Sequence, residues 1–251
     1  MRLAACLLLI LCCTLVLSGC ASQRPIKAPI DTLWYRQEGV RNKTLFVLLP
    51  GRRDAVGRFE REGFIRMVND VGILADLVAV DAHLGYYYGE QIVTRLKDDI
   101  MAPARAAGYE RIWLVGISLG GFGALWYDRD YPGDAAGLVL LAPFLGYRDI
   151  IDEVAAAGGV RKWEPGPSKT KEYQRDLWRM VKGYERPERS SGRVYLGYGL
   201  KDDFARPDGM FAAILPPEQV LTADGGHDWA TWRTLWSALL ARPEFRQAVG
   251  K

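Results

Sequence analysis

Apolar residues in this chain fall into two patterns, and the two alternate. Short apolar-rich runs occur at TLFVLLP (44–50), ADLVAVD (75–81), RIWLVG (111–116), AGLVLLAP (136–143), RVYLGYG (193–199) and EQVLTADG (218–225), the first of them continuous. Runs of this length, bounded by Gly, Pro or Asp, read as strands buried on both faces. Between them, apolar positions recur at helical spacing. Phe59, Phe64, Met67, Val68 and Val71 do so over 57–72, and Ile92, Leu96 and Ile100 form one core-facing stripe over 91–108. GGFGALWYDRDYP (120–132) predicts a helix stopped near Pro132, and DWATWRTLWSALLARP (228–243) a final helix ended by Pro243. Buried strands separated by helices predict an α/β fold: a mostly parallel sheet covered by helices on both faces.

The alternation breaks once. Between about 145 and 192 no strand pattern occurs, and two helical stretches are interrupted by Gly158-Gly159 and by Pro165-Gly166-Pro167. Tyr173, Leu177, Met180 and Val181 give the second stretch one apolar face. An insertion at this place is expected either to cap a site on the sheet edge or to pack as a helical excursion elsewhere. Residues 169–193 carry eight Lys/Arg against four Asp/Glu. That excess suits an anionic surface or substrate, or simply a solvated face.

The first twenty residues belong to a different class of sequence. Leu3–Leu17 is almost wholly apolar behind Arg2, and too short for the roughly 20 residues of a spanning helix. It reads as the apolar region of a secretory signal. The segment ends in Leu17-Ser18-Gly19-Cys20, which resembles the lipobox of bacterial lipoproteins. That resemblance implies cleavage of residues 1–19, lipidation of Cys20 and attachment to a membrane, with Ala21 favouring the periplasmic face of the outer membrane. Cys6, Cys12 and Cys13 would leave with the signal, so no disulfide is expected in the mature chain. Residues 20–32, with Pro25 and Pro29, read as a tether to a single domain over 33–251.

Composition adds mainly exclusions. A formal charge of +3 on 251 residues is too small to argue for nucleic acid, and no basic block or RNA-binding signature occurs. Metal-ligand spacing is absent too, and the glycine-rich stretch WLVGISLGGFGAL (113–125) lacks the Lys-Ser/Thr ending of a phosphate loop. That stretch nevertheless holds the strongest chemical signal. Ser118 lies in Gly-x-Ser-x-Gly, with a strand pattern before it and a helix pattern after it. A sharp strand-to-helix turn lifts such a serine clear of the sheet, and side chains at Gly116 and Gly120 would clash across it. A serine hydroxyl is a weak nucleophile near neutral pH, so it needs a base.

The Ser118 elbow, set among alternating strands and helices, resembles the α/β-hydrolase fold of carboxylesterases, lipases and related acyl hydrolases. The resemblance implies a serine hydrolase that cleaves an acyl ester of a small molecule, of chain length left open, without a cofactor, with its catalytic residues in the order Ser…Asp/Glu…His. His227 lies in TADGGHDWATW, where Gly225-Gly226-His227-x-Trp229 is similar to the corresponding motif of esterase-D-like and tributyrin-esterase-like members. It is the implied base. The family spacing Gly-x-x-Asp from Gly199 selects Asp202 as the acid, with Asp203 adjacent and Asp208 and Asp224 further off. The implied oxyanion hole uses the amide of Leu119 and that of Arg52, or of Arg53, in LLPGRRD; there the family's common His-Gly is missing. His83, Tyr86 and Tyr87, after the strand 75–81, are expected either to line the substrate pocket or to serve as core residues. The same constellation is compatible with acyl transfer or peptide cleavage, and the fold alone with a non-catalytic binding lipoprotein.

Overall fold

Four-residue Thr32–Tyr35 (β1) opens the sheet as an antiparallel edge strand, and the remaining six strands run parallel to one another. The computed structural model describes residues 24–37, 39–167 and 172–250. The signal, Cys20 and the start of the tether lie outside them. The parallel strands are Thr44–Leu49 (β2), Ala75–Val80 (β3), Arg111–Ile117 (β4), Gly137–Leu141 (β5), Val194–Gly199 (β6) and Val220–Ala223 (β7). Their order across the sheet is β1-β3-β2-β4-β5-β6-β7. The chain starts at the β1 edge, enters the parallel sheet at β2, steps back to β3 between β2 and β1, then crosses to β4 on the far side of β2 and continues outward to β7. The reversal falls between β2 and β4, which is where open α/β sheets bind ligands beyond their strand ends.

Each parallel strand divides its side chains between two cores. Leu45, Val47, Leu114, Leu138 and Leu196 point to one face, and Phe46, Leu48, Trp113, Val139 and Tyr195 to the other. Phe64–Asp70 (α1), Trp229–Ala241 (α7) and Pro243–Gly250 (α8) cover the second face, with Trp236 stacked on Phe64 at 5.6 Å. On the first face lie Leu84–Tyr88 (α2), the helical run from Ile92 to Ala106, Leu119–Asp130 (α3), Arg148–Ala156 (α4), Tyr173–Gly183 (α5) and Ala205–Ala212 (α6). The stripe formed by Ile92, Leu96 and Ile100 is buried as expected, but its middle, Leu96–Met101, is a π-helical turn.

Two expectations change at the ends of the domain. The helix stopped at Pro243 is not the final one: α7 ends at Ala241 with Arg242 extended before the proline, and Pro243 begins α8, whose Phe245 and Val249 return to the core. Proline suits the first helical position because its missing N–H would have no partner there. Residues 24–32, read as a tether, are also docked: Ile30 is buried, and its N–H donates to Asp99 Oδ2 at 2.8 Å. Among the described residues, no helix is long and apolar enough to cross a membrane.

The segment between β5 and β6 packs over one end of the sheet. Arg175 grips Glu153 through two hydrogen bonds of 2.7 Å, joining α5 to α4. The Trp178 indole N–H donates to Leu145 O at 2.8 Å, and the Tyr184 hydroxyl to Asp128 Oδ2 on α3 at 2.6 Å. Its basic residues are largely paired: Arg175, Arg179, Lys182, Arg189 and Arg193 each face a carboxylate. The positive excess of this stretch is thus mostly spent on structural ion pairs.

Candidate active site

Ser118 stands between β4 and α3 with φ 53° and ψ −112°, a backbone conformation that costs a side chain strain. Three hydrogen bonds hold it there. Its N–H donates to Leu141 O at 2.9 Å, and its carbonyl accepts from Phe122 N at 3.2 Å and Phe144 N at 2.9 Å. The close approach explains the flanking glycines. A Cβ on Gly116 would lie 2.3 Å from Gly120 O, and one on Gly120 would lie 2.1 Å from Leu49 O.

The loops after β6 and β7 converge on this serine. The Ser118 hydroxyl donates to His227 Nε2 at 2.9 Å. On the other side of the ring, Nδ1 donates to Asp202, 2.8 Å from Oδ2 and 3.0 Å from Oδ1. The Asp202 side chain is fully buried and also accepts from Phe204 N at 2.8 Å. A carboxylate facing Nδ1 fixes the imidazole tautomer that leaves Nε2 free to accept. Phe204 and Trp232 flank the ring edge-on, with centroids 4.7 and 5.0 Å away.

The other acidic candidates fall elsewhere. Asp203 lines the adjacent cavity, and Asp224 pairs with Lys201 at the surface. Asp208 is completely buried on α6, and neither of its oxygens is hydrogen-bonded within the described residues. Burial, helped by the Asp202 charge, pushes its carboxyl well above the usual carboxylate range.

A cavity of about 960 Å³ opens over Ser118. Leu119, the first residue of α3, lines it, and so does Arg52. Arg52 sits in the turn Gly51–Asp54, closed by Asp54 N donating to Gly51 O at 3.2 Å. Gly51 packs beside the serine: a Cβ there would lie 3.8 Å from Ser118 Cβ. Much of the wall is aromatic, including Phe122 and Trp126 of α3, Phe144, Tyr147, Tyr173 and Phe204. The sequence reading assigned none of these six to the pocket: Tyr173 was read only as part of the apolar face of an inserted helix, although Phe122 and Trp126 follow Ser118 at intervals of four and could have been found by helical periodicity.

Of the three residues after β3, the cavity takes only one. Tyr87 lines it, its hydroxyl buried against Gly123 and pushed up in pKa by burial. His83 and Tyr86 turn toward the N-terminal segment and are not among the residues that line the cavity. His83 caps α2, its Nδ1 accepting from Gly85 N at 3.2 Å. Burial, with Arg24 nearby, holds its imidazole below the ordinary value, and the neutral ring can accept that bond. The Tyr86 hydroxyl binds the backbone of Lys27. Among the described residues, no group of His, Cys, Asp and Glu could hold a metal ion.

Residues 75–242, which include Ser118, Asp202 and His227, match the Esterase family, described as "Putative esterase". No curated protein matches the sequence. Solved structures share the fold at low identity. Est1E from Butyrivibrio proteoclasticus is 13% identical with a TM-score of 0.60, covering 88% of this chain and 98% of its own. The fluorophosphonate-binding serine hydrolase F of Staphylococcus aureus is 14% identical with a TM-score of 0.56, over 84% of this chain and 91% of its own. A monoacylglycerol lipase from Paleococcus ferrophilus is 15% identical with a TM-score of 0.54, over 84% and 98%. These likenesses establish the α/β-hydrolase fold, and the family match extends from β3 through α7. The chain belongs to the Esterase family and is a serine hydrolase of the carboxylic-ester type.

Proposed function

We propose that the protein cleaves an acyl ester through a covalent acyl-enzyme at Ser118. The observation that carries this reading is the unbroken pair of hydrogen bonds from Ser118 Oγ through the His227 ring to the buried Asp202. As Oγ bonds to the substrate's carbonyl carbon, its proton passes to His227 Nε2. Asp202 holds the ring's orientation and stabilises the imidazolium. Negative charge on the carbonyl oxygen is met by the amides of Leu119 and Arg52, two backbone donors beside the serine. The imidazolium then protonates the departing alkoxide as the ester C–O bond breaks. Water, deprotonated by the same imidazole, attacks the acyl-enzyme and releases the carboxylic acid with Ser118 restored.

The lipobox-like sequence supports a second element of the reading. Cys20 carries lipid and holds the domain to a membrane on its extracytoplasmic side. Each buried lipid CH₂ contributes about 0.8 kcal/mol, so two or three chains give durable attachment.

The test is covalent labelling of the full chain with a fluorophosphonate probe, beside Ser118→Ala and His227→Ala. Labelling of the wild type alone is the expected result. A folded wild type that neither labels nor hydrolyses any ester in a panel of increasing chain length would leave the binding-lipoprotein reading in its place.

A further inference from the structure

Residues 24–30 are fastened to the wall of the Ser118 cavity. Arg24 pairs with Asp81, and the backbone of Lys27 exchanges two hydrogen bonds with the Tyr86 hydroxyl, at 3.0 and 3.3 Å. Ile26 fills the space over Gly89, where a Cβ would come within 2.6 Å of its Cδ1. Asp81 precedes α2, Gly89 ends it and Tyr86 lies within it, while Leu84, Tyr87 and Tyr88 of the same short helix line the cavity. One turn of helix therefore separates the docked segment from the substrate space. Cys20 stands four residues before Arg24, a distance that an extended chain spans in about 14 Å at most.

The mouth of the cavity is dressed for such proximity. Tyr88, Tyr147 and Tyr173 all line the cavity and are 63%, 61% and 37% exposed. They come from α2, from the residue that precedes α4 and from the first turn of α5, and Tyr173 lies near enough to both Tyr147 and Tyr88 to feel their charge. Ile26, on the docked segment over Gly89, is 41% exposed. Tyrosine favours a boundary where its ring meets apolar material and its hydroxyl meets water, as at a bilayer surface. Inside, Ser118 and, on one face of α3, Phe122, Trp126 and Arg129 line the cavity; eleven residue steps from first to last make about 16 Å of helix. A cleft of this length suits an extended acyl chain, and esters of such chains reside in bilayers rather than in water.

We infer that the docked segment holds the cavity mouth against the lipid surface, and that the substrate is a long-chain acyl ester drawn from that surface. This inference rests on the anchor at Cys20 and on the hydrolase reading of Ser118. It assigns to Arg24–Ile30 the role of a spacer of fixed length, and to Tyr88, Tyr147 and Tyr173 the role of lipid contacts.

The experiment uses the full chain, purified with its lipid and reconstituted into phosphatidylcholine vesicles that contain a fluorogenic oleoyl ester. A second form carries thirty Gly/Ser residues inserted between Ser22 and Gln23, a flexible span of about 30 Å that lets the mouth leave the surface. Turnover of the oleoyl ester is expected to fall about tenfold in the extended form, while hydrolysis of water-soluble p-nitrophenyl acetate stays unchanged. Equal oleoyl turnover by the two forms overturns the inference, and so does a wild type that cleaves acetate but never the oleoyl ester. The underlying readings fail differently. Absence of acetate hydrolysis in both forms rejects the Ser118 assignment, and an intact mass without acyl groups on Cys20 rejects the anchor; either result overturns the inference with it.

Discussion

A Cβ on Gly120 would stand 2.1 Å from the carbonyl oxygen of Leu49, so the helix that starts at Ser118 runs in direct backbone contact with the end of β2. That contact sets the distance between the serine and the Gly51–Asp54 turn, from which one of the proposed oxyanion donors comes. Gly120→Ala must push α3 and β2 apart, and both are backbone, so no side-chain rotation relieves the clash. Destabilisation of about 3 kcal/mol is expected, at the upper end of ordinary overpacking. Urea unfolding measures it, and fluorophosphonate labelling of the fraction still folded should fall as well. A variant with wild-type stability and labelling would show that the turn is far more compliant than this geometry implies.

Asp202 and Asp203 are neighbours in sequence with opposite surroundings. The first is sealed against the His227 ring, and the second faces the cavity. Asp202→Asn would present an amide N–H₂ to Nδ1, favouring the tautomer whose Nε2 carries the proton and cannot accept one from Ser118. A loss on the order of 10⁴ in kcat is expected, with the fold retained. Asp203→Asn should leave kcat for a short ester within a few-fold of wild type. Steady-state kinetics on p-nitrophenyl acetate separates them, and an inverted order would move the acid to Asp203.

How much of this was legible in the sequence depended on burial. Five of the six parallel strands were readable because nearly all their side chains are buried, which produces apolar-rich runs; β7, with only Leu221 buried, offered little beyond Val220-Leu221. Thr32–Tyr35 escaped because a four-residue edge strand with half-exposed side chains carries neither a long run nor a clean alternation. Ser118 and His227 stood out because glycine-rich turns surround them. The pocket assignment of His83 and Tyr86 failed for a topological reason: α2 has two covered faces, and the partner of one is the stretch 24–30, whose prolines and polar residues read as a free tether. Lys27 contributes only backbone groups to that docking, which no side-chain pattern can announce. The π-helical turn at Leu96–Met101 was equally silent, since apolar residues every four positions look the same with or without it.

Cys20 is the proposed attachment point, and its replacement isolates the anchor from the chemistry. Metabolic labelling with a palmitate analogue is expected to tag the wild type and leave Cys20→Ala untagged. Because nothing between Arg24 and Gly250 changes, Cys20→Ala should still react with fluorophosphonate at the wild-type rate. Equal palmitate incorporation by both forms would assign the lipid to another residue.

Asp208 offers a stability prediction whose sign follows from its position. It is fully buried, unpartnered within the described residues, and close enough to Asp202 to feel its charge. Burial raises its carboxyl well above the ordinary range, so the native protein keeps Asp208 neutral at pH values where the unfolded chain has ionised it. Folding therefore takes up a proton. The stability that this proton linkage contributes is complete below the unfolded value of about 4 and declines as pH rises toward the folded value. Asn has nearly the same shape and never ionises, so Asp208→Asn removes the linkage. The melting temperature of the variant should accordingly fall less between pH 5 and pH 8 than that of the wild type, with the gap widest at pH 8. Differential scanning calorimetry across that range decides it. Parallel curves would mean that Asp208 is ionised in the folded protein, and that an ion or water reaches a carboxylate which the packing otherwise seals beside Asp202.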